Sequence, residues 1–473
     1  MNNNILSHYY PSKNKNTYNI LGDLKLDITI TSNPFDIPMD QLFAMAARIN
    51  KKRSFLFVSK VLGKHIPVNP YVSLLSGVSL ALLLVKAVGG SYPTRLTQLA
   101  IQGLLDPSQA KSAYNEIMDM PLITPQPLKF IGFAETATAI GHSVYQAFDE
   151  HCSYIHTSRE QIIEMPSMLN FEEEHSHATS HRCYARHPEF IAGEESIVLV
   201  DDEITTGNTS INIIRDIHAQ FPRKCYYLLS LLDWRTPEDQ RKFAALEREL
   251  GITITTIALV KGEIEVSGAS PLMAPTSHLD AQDHEECPNI RVVFLDQCFE
   301  HLHVTSEDGQ GKRSHSPYLK YSGRFGVESG DHPKIDASIT QAADVLKEAR
   351  IGAKTLCMGT GEFMYLPMRI AAQMGDGVLY QSTTRSPIHP SDTEHYAVSS
   401  AYRFPSPDDP EINHYLYNIS QGSYDDFFLL LEREVEPSAI KPLLEILKTL
   451  KFKQINLVFC SPGCLNWEEI ISQ

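Results

Sequence analysis

SIVLVDDEITTGNTS, residues Ser196 to Ser210, decides how this chain folds. An apolar, β-branched run from Ile197 to Val200 leads straight into Asp201 and Asp202. Thr205, Thr206, Gly207, Asn208 and Thr209 follow, after which Ile211, Ile213, Ile214 and Ile217 recur at helical spacing. The stretch therefore reads as strand, loop and helix start. In an open parallel sheet, ligands sit at the carboxyl ends of the strands, and that is where the two aspartates fall. Vicinal carboxylates accept hydrogen bonds from paired sugar hydroxyls, or hold a hard divalent cation. The loop presents hydroxyls and backbone N–H groups at a helix N-terminus, whose dipole favours a phosphate. Gly207 lets the backbone come close to a ligand. Carboxylates for a ribose beside donors for a phosphate describe a ribose 5-phosphate site. The blander alternative is N-cap chemistry with solvated charge.

The same alternation extends to both sides. PLKFIGFAE (127–135), SYIHTSRE (153–160), KCYYLLSLLDW (224–234) and ITITTIALVKG (252–262) read as strands. TAIGHSVYQAFDEH (138–151), the segment after Thr209, and PEDQRKFAALEREL (237–250) read as helices. Apolar strands alternating with amphipathic helices predict an α/β fold, with a parallel sheet covered on both faces. A second α/β pattern starts near Gly323. It has helices at 337–350, 364–374 and 442–450, and strands at 354–363, 377–387, 425–434 and 454–463. The expected organisation is an irregular lead-in (1–34), a first domain (35–265), a linker or inter-domain element (266–319) and a second α/β domain (320–473). Within the first domain, MDQLFAMAARIN (39–50) reads as helix, and RSFLFVSKVLGKHIPV (53–68) as extended segments joined by Gly63.

Bulk properties exclude several classes. The net charge of -16 repels phosphate backbones, so no nucleic-acid partner is expected. The N-terminus lacks a basic region followed by an apolar core, so no secretory signal is read. YVSLLSGVSLALLLVKAVGG (71–90) carries three serines and Lys86, and reads as a buried core helix with no membrane partner. The cysteines are scattered without a CxxC pair, which fits reduced thiols and a cytoplasmic setting.

The strand, the acid pair and the Thr–Gly–x–Thr loop resemble the PRPP-binding motif of type I phosphoribosyltransferases. That resemblance implies a type I phosphoribosyltransferase fold with a hood, in which Asp201 and Asp202 act as the catalytic acid pair. Thr205 to Thr209 would bind the 5-phosphate of PRPP. Mg2+ would be held mainly through PRPP, with Asp201 and Asp202 as possible ligands. Glu203 departs from the pattern, where an apolar residue is more usual. The resemblance also implies a pyrophosphate loop after an earlier strand. Ala134, Glu135, Thr136, Ala137 and Thr138 have that form, although a glutamate beside pyrophosphate is odd unless Mg2+ bridges the two or its side chain turns away. Arg159, at the end of the next strand, offers a forked guanidinium. The long polar segment 164–186 corresponds to a mobile loop that closes over such sites, with His175, His177 and His181 as lid candidates. Arg53, Lys60 and Lys64 are candidates in the hood.

The whole chain resembles the two-domain phosphoribosyltransferase of tellurium-resistance (ter) stress gene clusters, in which an orotate-phosphoribosyltransferase-like unit precedes a TRSP domain. The motif is Thr384-Arg385-Ser386-Pro387, and SGRFGVESG (322–330) and MGTGEFMYLPMRIA (358–371) match as well. Three polar loops fall at strand ends of this domain: Gly359-Thr360-Gly361-Glu362, Thr384-Arg385-Ser386, and FCSPG (459–463). They are expected to share one crevice. The resemblance implies PRPP-dependent transfer to a nitrogenous acceptor with release of pyrophosphate, in the synthesis of a nucleotide-like metabolite linked to stress. It leaves room for a homodimer. The alternative is a regulatory protein that binds PRPP or a nucleotide without catalysis; hydrolysis or phosphorolysis at the same site is a third reading.

Overall fold

The computed structural model describes residues 15–50, 53–172, 180–269, 288–467 and 469. Residues 15–32 correct the expected irregular lead-in. Lys15–Leu21 (β1) and Leu24–Ser32 (β2) form an antiparallel hairpin that adds to the edge of the first sheet. Their alternation of buried Leu24, Leu26 and Ile28 with polar neighbours is a half-buried strand pattern. The segment 39–50 is also corrected. Only Met39–Leu42 is helical, and Phe43–Ala47 (β3) pairs with Phe55–Ser59 (β4). The aromatic Phe43, Phe55 and Phe57 favour strand over helix there, packing edge to face with one another.

Pro70–Ala87 (α1) follows, capped by Asn69, whose side chain accepts from the Tyr71 N–H at 3.0 Å. Its length and hydropathy would suit a membrane, but it lies inside the protein, with Leu74, Leu75, Leu80 and Leu82 buried. Thr94–Leu105 (α2) and Ala110–Met118 (α3) pack on it. Then come Leu128–Gly132 (β5), Ala137–Gln146 (α4) and Cys152–His156 (β6). Gly77 of α1 meets α4 so closely that a Cβ would stand 2.4 Å from Ser143 Cβ.

Leu169–Glu172 (β7) and Ser180–Cys183 (β8) pair antiparallel, so the described part of the expected lid is ordered as strands. Ser196–Val200 (β9), Asn208–Gln220 (α5), Cys225–Asp233 (β10), Pro237–Leu250 (α6) and Thr253–Ser267 (β11) complete the first unit. The parallel strands β6-β5-β9-β10-β11 run in chain order 2-1-3-4-5. This is a doubly wound sheet of the type I phosphoribosyltransferase kind. The chain reverses direction between β5 and β9, which opens a crevice at their carboxyl ends.

The expected linker is corrected at both ends. β11 runs on to Ser267, and Asn289–Phe294 (β12) is an edge strand of the second sheet. Val327–Glu328 (β13), read from sequence as second-domain, pairs with β6 of the first sheet. His332–Ala349 (α7), Thr355–Gly359 (β14), Tyr365–Gln373 (α8), Val378–Ser382 (β15), Asp426–Leu431 (β18), Pro437–Thr449 (α9) and Gln454–Phe459 (β19) follow, with the hairpin Ala401–Pro405 (β16) and Asn413–Tyr417 (β17) between β15 and β18. The second sheet is parallel, in the order β12-β19-β18-β14-β15.

The two units share their interior. One core extends from Val198 and Leu199 of β9 to Met368 of α8 and Tyr380 of β15. The β3–β4 hairpin is stitched to the segment after β15: His389 N–H donates to Ala47 O at 3.0 Å, Ala397 N–H to Met45 O at 3.0 Å, and Ile49 N–H to Pro387 O at 2.9 Å. The carboxyl ends of the two sheets therefore face each other.

Candidate active site

Register brings the two key loops together. Val200 of β9 pairs with Gly132 of β5, and Phe133 N–H donates to Val200 O at 3.1 Å. Asp201 and Asp202 thus leave one strand beside the start of the Ala134–Thr138 loop on the next. Both aspartates are half-buried. Asp202 N–H donates to Asp201 Oδ1 at 2.9 Å. Burial, and then the neighbouring Glu203, push the Asp202 carboxyl up to about 6, against the hydrogen bond from Asp201 and the attraction of Lys64. Glu203, the departure in the motif, is neutralised by Arg53 at 2.5 Å. That pairing gives Arg53 a role beside the acid pair. Lys60 is exposed and donates to Asp40 O at 2.7 Å, away from the site.

Thr205, Thr206, Gly207, Asn208 and Thr209 are half-buried at the start of α5. The N-cap Gly207 offers no side chain and the first turn holds no acid, so beyond the Asn208 N–H, which donates to Thr206 Oγ1 at 3.3 Å, the helix start and its dipole suit an anion. Gly207 has φ 74. A Cβ there would also stand 2.6 Å from the Phe243 ring, so glycine is required by packing as well as by ligand approach. The sequence suggested only the second reason.

In the other loop, the Ala134–Glu135 peptide is cis. Ala134 N–H donates to Thr157 Oγ1 at 2.8 Å, and Thr157 Oγ1 lies 2.9 Å from His181 Nδ1. His181 is thus buried beneath the loop, which corrects its reading as a lid residue; His175 and His177 lie outside the described residues. Thr136 precedes α4 without capping it by its side chain, and Ala137 is buried. Thr138 Oγ1 lies 3.0 Å from both Glu135 O and Glu362 O. Arg159 is half-buried, and its guanidinium donates to Ala134 O at 3.3 Å, against the same loop.

Glu135, the odd glutamate, turns to Lys64, with Oε1 3.4 Å from Nζ. Burial works against its ionisation, yet the charges of Lys64, Arg385 and Arg159 hold its carboxyl at about 2, with His414 adding to them only at acid pH. Lys64 is 1% exposed and also donates to Gly361 O at 3.3 Å. Sequence reasoning placed Lys64 only as a surface-prone hood residue, because a lysine after a glycine turn carries no local sign of burial.

The second-domain candidates divide into three groups. Gly359, Thr360 and Gly361 make a tight turn, with Phe363 N–H donating to Thr360 O at 2.9 Å and Gly361 N–H to Thr383 Oγ1 at 2.9 Å. Glu362, proposed as a site residue, is instead a clamp. It accepts from Ser158 Oγ at 2.8 Å, from Arg159 N–H at 2.5 Å and from Arg324 Nη1 at 2.7 Å. Thr384 pairs with Tyr415 through both backbone bonds, and its Oγ1 accepts from Ser386 N–H at 3.2 Å, so Thr384 and Ser386 shape the motif loop. Arg385 is half-buried, its Nε has no partner among the described residues, and Glu135 feels its charge. The third loop does not join this crevice. Ser461 Oγ, Cys464 N–H and Trp467 Nε1 instead surround Glu434, at 3.1, 2.8 and 2.8 Å. Among the described residues, no group of three His, Cys, Asp or Glu converges as a metal site.

Comparison with known proteins agrees with this geometry. Residues 42–263 match a family described as phosphoribosyl transferase, and residues 321–447 match the TRSP domain C-terminal to it. No curated protein matches the chain. Among solved structures, adenine phosphoribosyltransferase from Trypanosoma brucei, in complex with AMP, pyrophosphate and ribose-5-phosphate, is 11% identical. The match covers 49% of this chain and 82% of that one, with a TM-score of 0.29. Adenine phosphoribosyltransferase from Leishmania tarentolae is 11% identical over 50% of this chain and 89% of that one, with a TM-score of 0.26. Orotate phosphoribosyltransferase from Aeropyrum pernix is 16% identical over 31% and 72%, with a TM-score of 0.18. The strand order and the family match, not these faint likenesses, carry the assignment.

Proposed function

We infer that this chain, which joins a phosphoribosyl transferase domain to a TRSP domain, transfers the phosphoribosyl group of PRPP to a nitrogenous acceptor and releases pyrophosphate. The observation that carries this reading is the meeting of the Asp201–Asp202 pair with the hydroxyl-rich start of α5 in the crevice between β5 and β9. In the reaction, the bond from C1 of the ribose to pyrophosphate breaks and a bond from C1 to the acceptor nitrogen forms. The displaced proton leaves from that nitrogen. The start of α5 holds the 5-phosphate, and this remote binding positions C1. The aspartates accept from the ribose hydroxyls and stabilise positive charge as it develops on the sugar. The α4 start and Arg159 receive the departing oxygens. The oxygen-rich donor set fits Mg2+, which Asp201 and Asp202 would hold together with PRPP and which would offset charge on the leaving pyrophosphate. The product is a nucleotide-like metabolite made in the cytoplasm; the association with tellurium stress rests on the family resemblance alone.

The test is incubation with PRPP, Mg2+ and a cell extract, followed by mass spectrometry. A metabolite gaining phosphoribosyl mass, with stoichiometric pyrophosphate, is the expected result. PRPP binding without pyrophosphate release would instead identify a sensor, and a free sugar phosphate would identify hydrolysis.

A pH dependence follows from Asp202. Only the ionised carboxylate accepts from both ribose hydroxyls, and its carboxyl titrates at about 6. Turnover at low PRPP should therefore rise about tenfold from pH 5 to a plateau above pH 7. Asp202→Asn should remove that step. A profile of the variant still stepping near pH 6 would assign the titration to another group.

A further inference from the structure

We propose that the second domain completes the diphosphate subsite of the first: Arg385 binds the pyrophosphate moiety of PRPP, with His414 as a second donor. This rests on the phosphoribosyl transfer reading above and assigns a task to the TRSP motif. The two domains then form one active site.

The crevice wall opposite the Ala134–Thr138 loop is made of second-domain residues. Thr138 Oγ1 touches Glu362 O at 3.0 Å, and Lys64 reaches across to Gly361 O at 3.3 Å. A Cβ on Gly361 would lie 3.4 Å from Glu135 Oε1 and 3.5 Å from His414 Cε1, so both side chains border one small space. The backbone pairing of Thr384 with Tyr415 sets Arg385 next to His414 at this space, and its charge acts on Glu135, Lys64 and His414.

Arg385 is half-buried, and among the described residues it makes no hydrogen bond or ion pair; its Nε is enclosed without an acceptor. An enclosed guanidinium nitrogen lacking an acceptor is costly unless a ligand supplies one. Its neighbours in the motif cannot, because Thr384, Ser386 and Pro387 are committed to Tyr415, Tyr417 and Ile49.

His414 gives a second, independent sign. It is 2% exposed, and its Nδ1 lies 3.0 Å from Thr383 Oγ1, which accepts from Gly361 N–H. In the tautomer that donates to a ligand, the Thr383 hydroxyl donates to Nδ1 and the neutral ring carries its proton on Nε2. That nitrogen is buried and without a partner. Burial, with Arg385 and Lys64 beside it, keeps the ring neutral by lowering its titration to about 4. It is thus a neutral ring beside the space that Glu135 and Gly361 border, with Arg385 and Lys64 near.

The charge of the space selects the ligand. Lys64 engages Glu135, and Arg385 adds a charge that no described residue pairs. The remaining positive charge calls for an anion with several oxygens. The adjoining loop opens α4 without a side-chain cap, which leaves helix N–H groups to an anion.

The test is calorimetric titration of the full chain with Mg-pyrophosphate and, separately, with ribose 5-phosphate. Arg385→Gln should weaken pyrophosphate binding about 10- to 100-fold, as expected for loss of a charged hydrogen bond. Ribose 5-phosphate binding should stay within about twofold, Arg385→Lys should recover part of the loss, and His414→Gln should lose less than Arg385→Gln. Thermal melts of each variant check the fold. Unchanged pyrophosphate binding in Arg385→Gln, or an equal loss for ribose 5-phosphate, would overturn the subsite and leave the transfer reading intact. Loss of pyrophosphate and PRPP binding in Arg385→Gln, alongside a wild-type protein that binds PRPP but releases no pyrophosphate with any acceptor, would retain the subsite and overturn the transfer reading.

Discussion

Pyrophosphate release from PRPP should fall by about a thousandfold or more when Asp201→Asn and Asp202→Asn are combined, because the charge opposing the developing cation at C1 is removed. Each amide still accepts one hydrogen bond, so PRPP should bind with a loss of about tenfold at most. The defect should therefore lie mainly in kcat, the signature of an interaction strongest in the transition state. The single variants should differ. Asp202 is the group driven toward neutrality by burial and by Glu203. Asp202→Asn should therefore cost least at low pH, where that carboxyl is already protonated. Steady-state kinetics across pH, with isothermal titration of PRPP, separates the two effects. A double variant retaining a tenth of wild-type kcat would remove the acid pair from the chemistry.

Arg324→Met should destabilise the whole chain by about 3–5 kcal/mol, the cost of stranding buried partners of an ion pair. Arg324 is 3% exposed and reaches Glu362 at 2.7 Å, Glu432 at 2.9 Å and Glu160 at 3.1 Å. It also donates to Ser158 Oγ at 2.6 Å, so one guanidinium ties the end of β6 to the ends of β14 and β18. Arg433 compensates only part of this, reaching Glu160 at 2.8 Å and Asp408 at 3.6 Å. The sign of the pH dependence identifies the cause. In the wild type, burial opposes ionisation of Glu160, but Arg324, Arg433 and the Tyr318 hydroxyl hold its carboxyl at about 2. Its contribution is present above the ordinary carboxylate range and is lost as pH falls toward 2. Without Arg324 the stranded carboxylates titrate higher than when unfolded, so the deficit is full near pH 8 and shrinks toward pH 5. Urea unfolding at both pH values measures it. A deficit independent of pH would assign the loss to packing.

Much of the first domain was legible in the sequence. The run Ile197–Val200, the acid pair and the isoleucines at helical spacing are contiguous, and each carries its own period or turn chemistry. The same holds for the Ala134–Thr138 loop and for the parallel strands of the second domain. Misreadings arose where neighbours outside the window decided the outcome. Phe43–Ala47 looked helical, but its aromatic and alanine side chains pack as a strand against β4. Lys15–Ser32 looked irregular, yet the free edge of β11 supplies the hydrogen-bond partners that make it sheet. His181 looked like a lid residue, but it is buried below the loop it was expected to cover.

The sequence by itself determined the strand–loop–helix units and the residue types at their tips, because those depend on residues within a few positions of one another. Only the tertiary structure decided which tips meet. Thr138 and Glu362 lie 224 residues apart, and Lys64 and Gly361 lie 297 apart, yet each pair touches across the crevice. Such contacts leave no periodicity in the chain. They come from two sheets presenting their carboxyl ends to each other over a shared core, and that placement turns Glu362 into a clamp and brings the charge of Arg385 to bear on Glu135.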